Sequence, residues 1–157
     1  MEDDRHGLAP WPEPPLILCI ATAEVMPPSA AAVESHLATC GHHAGITASE
    51  AAAVGKELAA AFSHVATDNN SFQLSFRRTE PFAPIRIGTA KIPCVDAMCC
   101  SLCPKVCVNR DYARKHLAKH QEGDGEPARM QACQAQVVMW GRKELLLRSG
   151  IRNSRAG

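Results

Sequence analysis

Aromatic side chains are scarce in this chain of 157 residues: two Trp, one Tyr and four Phe, 4% of the total. Aromatics supply much of the area that a core buries. A single large core is therefore not expected, and small units held by something else are; in small scaffolds that something is commonly a metal. Long hydrophobic runs are missing too. The apolar run at 16–23 falls far short of the roughly 20 residues that cross a bilayer. A positively charged leader is also lacking, since the start carries Glu2, Asp3 and Asp4. Membrane partners are not expected, and an intracellular location is, nuclear rather than cytoplasmic. Net charge is nearly absent at +1. That excludes a uniformly basic or acidic surface, but it hides a local concentration described below.

Eight cysteines and seven histidines are present. Without a secretory leader, the cysteines are read as thiols or metal ligands, not as a disulfide framework. Four residues have a regular spacing, Cys100-x2-Cys103-x12-His116-x3-His120. The short first gap lets one tight turn place two thiolates on one ion. The last gap puts the two histidines at i and i+4, on one helical face. Asn109 is a good N-cap and Asp111 suits the helix dipole, so a helix is predicted over 110–120. The pattern is that of a ββα zinc finger of the C2H2 type, with Zn²⁺ as the cofactor and Cys100, Cys103, His116 and His120 as its ligands. Where such fingers commonly carry an aromatic and a leucine, this chain has Cys107 and Ala113, so the core under the ion is expected to be thin. Cys94, Cys99 and Cys107 are read as bystander thiols, with a competing thiolate site as the alternative.

The rest of the chain divides by its punctuation. Residues 1–15, with Pro10, Pro12, Pro14 and Pro15, are expected to form a disordered tail. A short strand is predicted at 16–20. Ser29 is expected to cap a helix over 30–39 that stops at Gly41. Thr47 and Glu50 have capping-box spacing, and Val54, Leu58, Phe62 and Val65 form one stripe, so a long helix is predicted over 48–65. Residues 67–93 read as a linker with a solvated Arg77-Arg78 pair. The finger then occupies 94–121. Residues 122–157 are expected to be a short β appendage and tail, with strands at 137–140 and 144–147.

The order of these features resembles a fungal family, the OrsD-like proteins, named for a member in an orsellinic acid gene cluster. The similar segments are Cys19, the Val33-Glu34-Ser35-His36-Leu37 stretch, His42 or His43, the helix over 47–62, Pro84-Ile85, the Arg-Lys-His-Leu stretch at 114–117, and the glutamine-bearing segment 134–147. The resemblance covers roughly 16–148 and implies two C2H2-like units. The first, within 16–66, departs from the pattern, because Thr22 stands where a second Cys belongs. It is expected to be a degenerate unit that has kept its helices and lost its metal. His36 and Cys40 are still at i and i+4 and could chelate with Cys19 and either His42 or His43. The candidate second metal site is Cys19, His36, Cys40 and His42. The fold class expected is a small α+β protein, with a degenerate finger and a long helix ahead of one ββα finger.

Between 98 and 121 five basic residues face one acidic residue, an excess of about +4. Counting back from His116, Asn109, Tyr112 and Lys115 take the base-facing positions of a DNA-binding finger. Arg110, Arg114 and Lys119 could meet phosphates. One finger covers only about 3 bp, so non-specific DNA or RNA binding is expected. A zinc-stabilised protein-interaction module is the alternative. Catalysis is not expected, nor is a small-molecule substrate: a catalytic zinc keeps an open position, and Glu24 and Glu34 are bases only by elimination.

Overall fold

The computed structural model describes residues 6–78, 80–86, 92–120 and 127–151. These form a small mixed α/β fold with two antiparallel sheets and four α-helices. The first sheet has the order β1-β2-β3, with β1 at Leu8–Trp11, β2 at Leu16–Cys19 and β3 at Val25–Met26. Helices α1, Ala30–Thr39, and α2, Ala48–Ala60, follow. A short helix α3, Asn69–Leu74, comes next. The second sheet has the order β5-β4-β6-β7, where β4 is Cys94–Cys100, β5 Val106–Cys107, β6 Met130–Trp140 and β7 Lys143–Ile151. Helix α4, Arg110–His120, lies between β5 and β6 in the chain.

The apolar run at 16–19 explains the layering. Side chains alternate along a strand. Ile17 and Cys19 therefore point to α1 and α2, into a cluster with Val33, Leu37, Val54, Leu58 and Phe62. Leu16 and Leu18 point the other way, onto Phe72, Phe76, Phe82, Ile85, Val138 and Leu147. All four β2 residues are fully buried. The helices, the first sheet and the second sheet thus stack as three layers. Gly55 makes the helical layer possible: a Cβ there would lie 2.7 Å from the Ala30 carbonyl oxygen.

Several expectations change. The 1–15 tail is not all tail, because residues 8–11 pair with 16–19 as β1. Pro10 is tolerated there because β1 is an edge strand and one side of it needs no donor; residues 1–5 lie outside the described residues. The long helix stops at Ala60. Beyond it, Phe62 and Val65 donate to carbonyls three residues back, and these tighter turns bring Phe62 into the core. The 67–93 segment contains α3, whose N-cap Asp68 accepts from Ser71 N. Its Phe72, Phe76, Phe82 and Ile85 cover the second sheet. Gln136 holds this segment: its Oε1 accepts from Ile85 N at 2.7 Å and its Nε2 donates to Ile85 O at 3.2 Å. Arg78 is not simply solvated, since it stacks 3.8 Å over Phe82 and pairs with Glu13. Finally, the C-terminal hairpin is no appendage. β6 pairs with β4 from Cys94↔Gln136 to Cys100↔Met130 and is a central strand. The hairpin itself turns at Gly141, with φ 61°, where glycine is favoured.

Candidate metal centres

Among the described residues, two groups of four Cys and His side chains converge, each with its ligand atoms within 4.8 Å of one another. Either could hold a metal ion. In a tetrahedral zinc site, sulfur and nitrogen ligands lie about 3.5 Å apart.

The second group along the chain is Cys100, Cys103, His116 and His120, the four residues that spacing selects. Cys100 ends β4, Cys103 lies in the turn before β5, and both histidines come from α4. Cys103 Sγ is 3.1 Å from His116 Nε2, which is 3.0 Å from His120 Nε2. Two imidazole Nε2 atoms so close share one proton or one ion. Leu102 N–H donates to Cys100 Sγ at 3.5 Å. Burial pushes the Cys103 thiol above its ordinary 9.0, and neighbouring Cys100 and Cys107 add to this, against a backbone hydrogen bond at Lys105. Burial also lowers His116, with His120, Lys105 and Lys119 acting the same way, so its lone pair stays free for a metal.

The core beneath this group is as thin as Cys107 and Ala113 imply. Both are buried, and Ala113 is the one buried side chain of α4. The bystander thiols separate by face. Cys99 turns to the opposite side of β4 and packs with Ala97, Cys133 and Ala135. Cys133 is pushed up to about 12 by burial and by Cys99. Cys94 is exposed, with its Sγ 3.3 Å from Gln134 Oε1. Cys107 pairs with Met98 across the ladder, on the same face as Cys100.

The first group is Cys19, His36, Cys40 and His43. The fourth member is His43, not His42. Helix α1 ends at the Cys40 cap, and a 3₁₀ turn spans Gly41–His43. Residues i and i+3 eclipse in such a turn, so Cys40 and His43 share a side, while His42 is exposed. Cys19 Sγ lies 3.6 Å from His43 Nε2, a tetrahedral edge length. His36 Nδ1 is 3.4 Å from a carboxylate oxygen of Glu24, and its buried Nε2 makes no hydrogen bond of ordinary geometry. Thr22 accepts from Glu24 N at 3.3 Å and helps shape the turn that brings Glu24 to His36. Burial raises the Cys19 thiol, but His36, Thr22 and His43 together outweigh it and hold it at about 6, below its ordinary 9.0. His36 is raised, chiefly by Cys19, with burial opposing and Glu24 assisting.

Sequence reasoning weighed Glu24 only as a base; no spacing rule connects it to His36, because the turn between β2 and β3 makes the contact. His43 had a usable signal: a helical i, i+4 pair ending in a cysteine, followed by a histidine three residues on.

Of the residues expected to meet nucleic acid, Arg110, Tyr112, Arg114, Lys115 and Lys119 are exposed on α4. Tyr112 is 65% exposed, with Lys115 Nζ 5.9 Å from its ring. Asn109 differs. Its Oδ1 accepts from Asp111 N at 2.8 Å and is committed to capping α4. Among the described residues, no helix is long and apolar enough to cross a membrane.

No family model, no curated protein and no solved structure matches the chain.

Proposed function

We propose that this chain is a zinc-binding protein whose residues 94–120 form a C2H2 finger of the ββα type, with α4 making weak, sequence-independent contacts to nucleic-acid phosphates. The observation that carries the reading is the state of α4. It buries one alanine, holds two ligands inward, and exposes Arg110, Arg114, Lys115 and Lys119 to solvent. A helix so lightly packed is held by its ion, and its outer surface is free to meet a partner. Cys2His2 donors of intermediate softness suit Zn²⁺. A nuclear location accords with this reading.

A protein-interaction role is the second reading. It is favoured by Leu102, Val108 and Tyr112, which are 46%, 53% and 65% exposed on the same unit. Catalysis is disfavoured at both groups. Each offers four protein ligands, leaving no open position. Cys19, His36 and Glu24 imitate a nucleophile, base and orienting acid, but Cys19 is 0% exposed and no substrate carbonyl could reach it.

The test is a titration of zinc-loaded protein against several duplexes at three salt concentrations. About four phosphate contacts give a slope of log affinity against log salt of roughly −3 to −4. Affinity should fall in the non-specific range, about 10⁻⁴–10⁻⁶ M, near physiological salt. Changing Arg114 and Lys115 to Ala should weaken all sequences alike and flatten the slope by about two. Absence of binding at low salt would leave the protein-interaction reading in its place.

A further inference from the structure

The unit expected to have lost its metal retains a full donor set. We propose that Cys19, His36, Cys40 and His43 hold a second zinc ion, with Glu24 as the carboxylate that orients His36. The proposal is independent of the finger.

Three observations carry it. The four donor atoms converge within 4.8 Å from three separate elements: the end of β2, helix α1 and the 3₁₀ turn. No helix or strand regularity forces that convergence. Second, His36 is an incomplete polar group. Its side chain is 9% exposed, and its buried Nε2 makes no hydrogen bond of ordinary geometry. A buried polar nitrogen left so is unfavourable, and the side chain that His36 does interact with, the Cys19 thiol, is another of the four donors. Third, the other nitrogen of the same ring faces Glu24 at 3.4 Å. A carboxylate on Nδ1 fixes the proton there and leaves the Nε2 lone pair for a metal, the usual support of a metal-bound histidine.

The donor chemistry selects the ion. Two sulfurs and two imidazoles in a closed set favour a tetrahedral, redox-inert ion such as Zn²⁺ over calcium or magnesium, which take oxygen ligands. Two thiolates balance Zn²⁺, so the filled site carries no net charge. That suits a place where Cys19 and His43 are buried and Leu8, Ile17 and Leu37 pack nearby. The ion would tie the end of α1 and the following turn to β2.

The experiment is metal analysis of the purified full chain, wild type and Cys103→Ser, the latter to silence the finger. Two zinc ions per chain are expected in the wild type and one in Cys103→Ser. Cobalt substitution of Cys103→Ser should give tetrahedral d–d bands and thiolate charge-transfer absorption without altering any first-group ligand. Adding Cys40→Ser or His43→Ala should abolish that signal, while His42→Ala should keep it. Glu24→Gln should weaken metal affinity about 10–100-fold and still saturate at one ion. A natively folded Cys103→Ser protein with no zinc and no cobalt signal would overturn the proposal and leave the finger untouched. Retention of the signal in His43→Ala with loss in His42→Ala would overturn the ligand set. One wild-type zinc that survives Cys103→Ser would support this centre and count against the finger.

Discussion

The two Cys/His groups have the same donor types and opposite surroundings. The first sits against a packed layer: Val33 and Leu37 on α1 and Val54 and Leu58 on α2 are buried together with Ile17 of β2. The second sits at the margin of a sheet, with buried Cys107 beside it and α4 anchored by Ala113. Around the first group the helices have reasons to stay folded without an ion. Around the second they have almost none. The same ligand chemistry can therefore fasten a structure that already stands or create one that otherwise would not.

Metal removal gives the largest test of that difference. Chelation of the full chain should strip amide protection from α4 while α1 and α2 keep most of theirs, as read by hydrogen exchange. Structural zinc contributes roughly 10–16 kcal/mol in finger peptides, against about one buried methyl for α4. Equal loss in both places would erase the contrast. Next in size is Gly55→Ala, which puts a methyl 2.7 Å from the Ala30 carbonyl oxygen. Overpacking of this kind costs about 1–3 kcal/mol. The urea midpoint should fall, and the cobalt spectrum of the finger should not change. Gln136→Ala removes two buried hydrogen bonds to the Ile85 backbone, at about 1–3 kcal/mol in total. It should expose Ile85 N–H to exchange and leave both metal groups loaded.

The smallest effect is the order of release in acid. Cys103 holds its proton more tightly than an ordinary thiol, mainly through burial, whereas Cys19 is held at about 6 by His36, Thr22 and His43 against its burial. As pH falls, the group with the higher pKa recovers its proton first. His36, raised chiefly by Cys19, narrows the gap, because its proton too competes with the ion. The finger's cobalt–thiolate absorption should fade at higher pH than that of the first group, monitored separately in Cys103→Ser and Cys40→Ser chains. The reverse order would mean that exposure, not proton affinity, governs release.

Helices with cap signals were legible from sequence. Ser29, the Thr47–Glu50 box and Asn109 placed the starts of α1, α2 and α4, because caps are local chemistry. What failed was non-local. Four prolines hid β1, since an edge strand tolerates what a central one does not. The segment 67–93 was read as a linker, yet Asp68 within it caps a helix. β6 looked like a fragment, because its partner β4 lies on the far side of the finger in sequence. The metal groups divide the same way. Spacing along one turn and one helix selected Cys100, Cys103, His116 and His120, which do converge. The first group needed a 3₁₀ turn to choose His43 over His42 and the β2–β3 turn to deliver Glu24, and the second leaves no spacing rule in the chain.

The ladder between β4 and β6 has a consequence for modularity. Zinc fingers are often treated as beads that can be cut out, reordered and strung in series. Here the strand that carries Cys100 pairs with a hairpin that follows α4, and that hairpin leans through Val138 and Leu147 on the first sheet. Excising 94–120 would leave Cys100 on a strand stripped of its main partner. Duplicating the finger in tandem would require copying the two-sheet body along with it. Such a unit would have to be moved whole, with both sheets, and not added as a repeat.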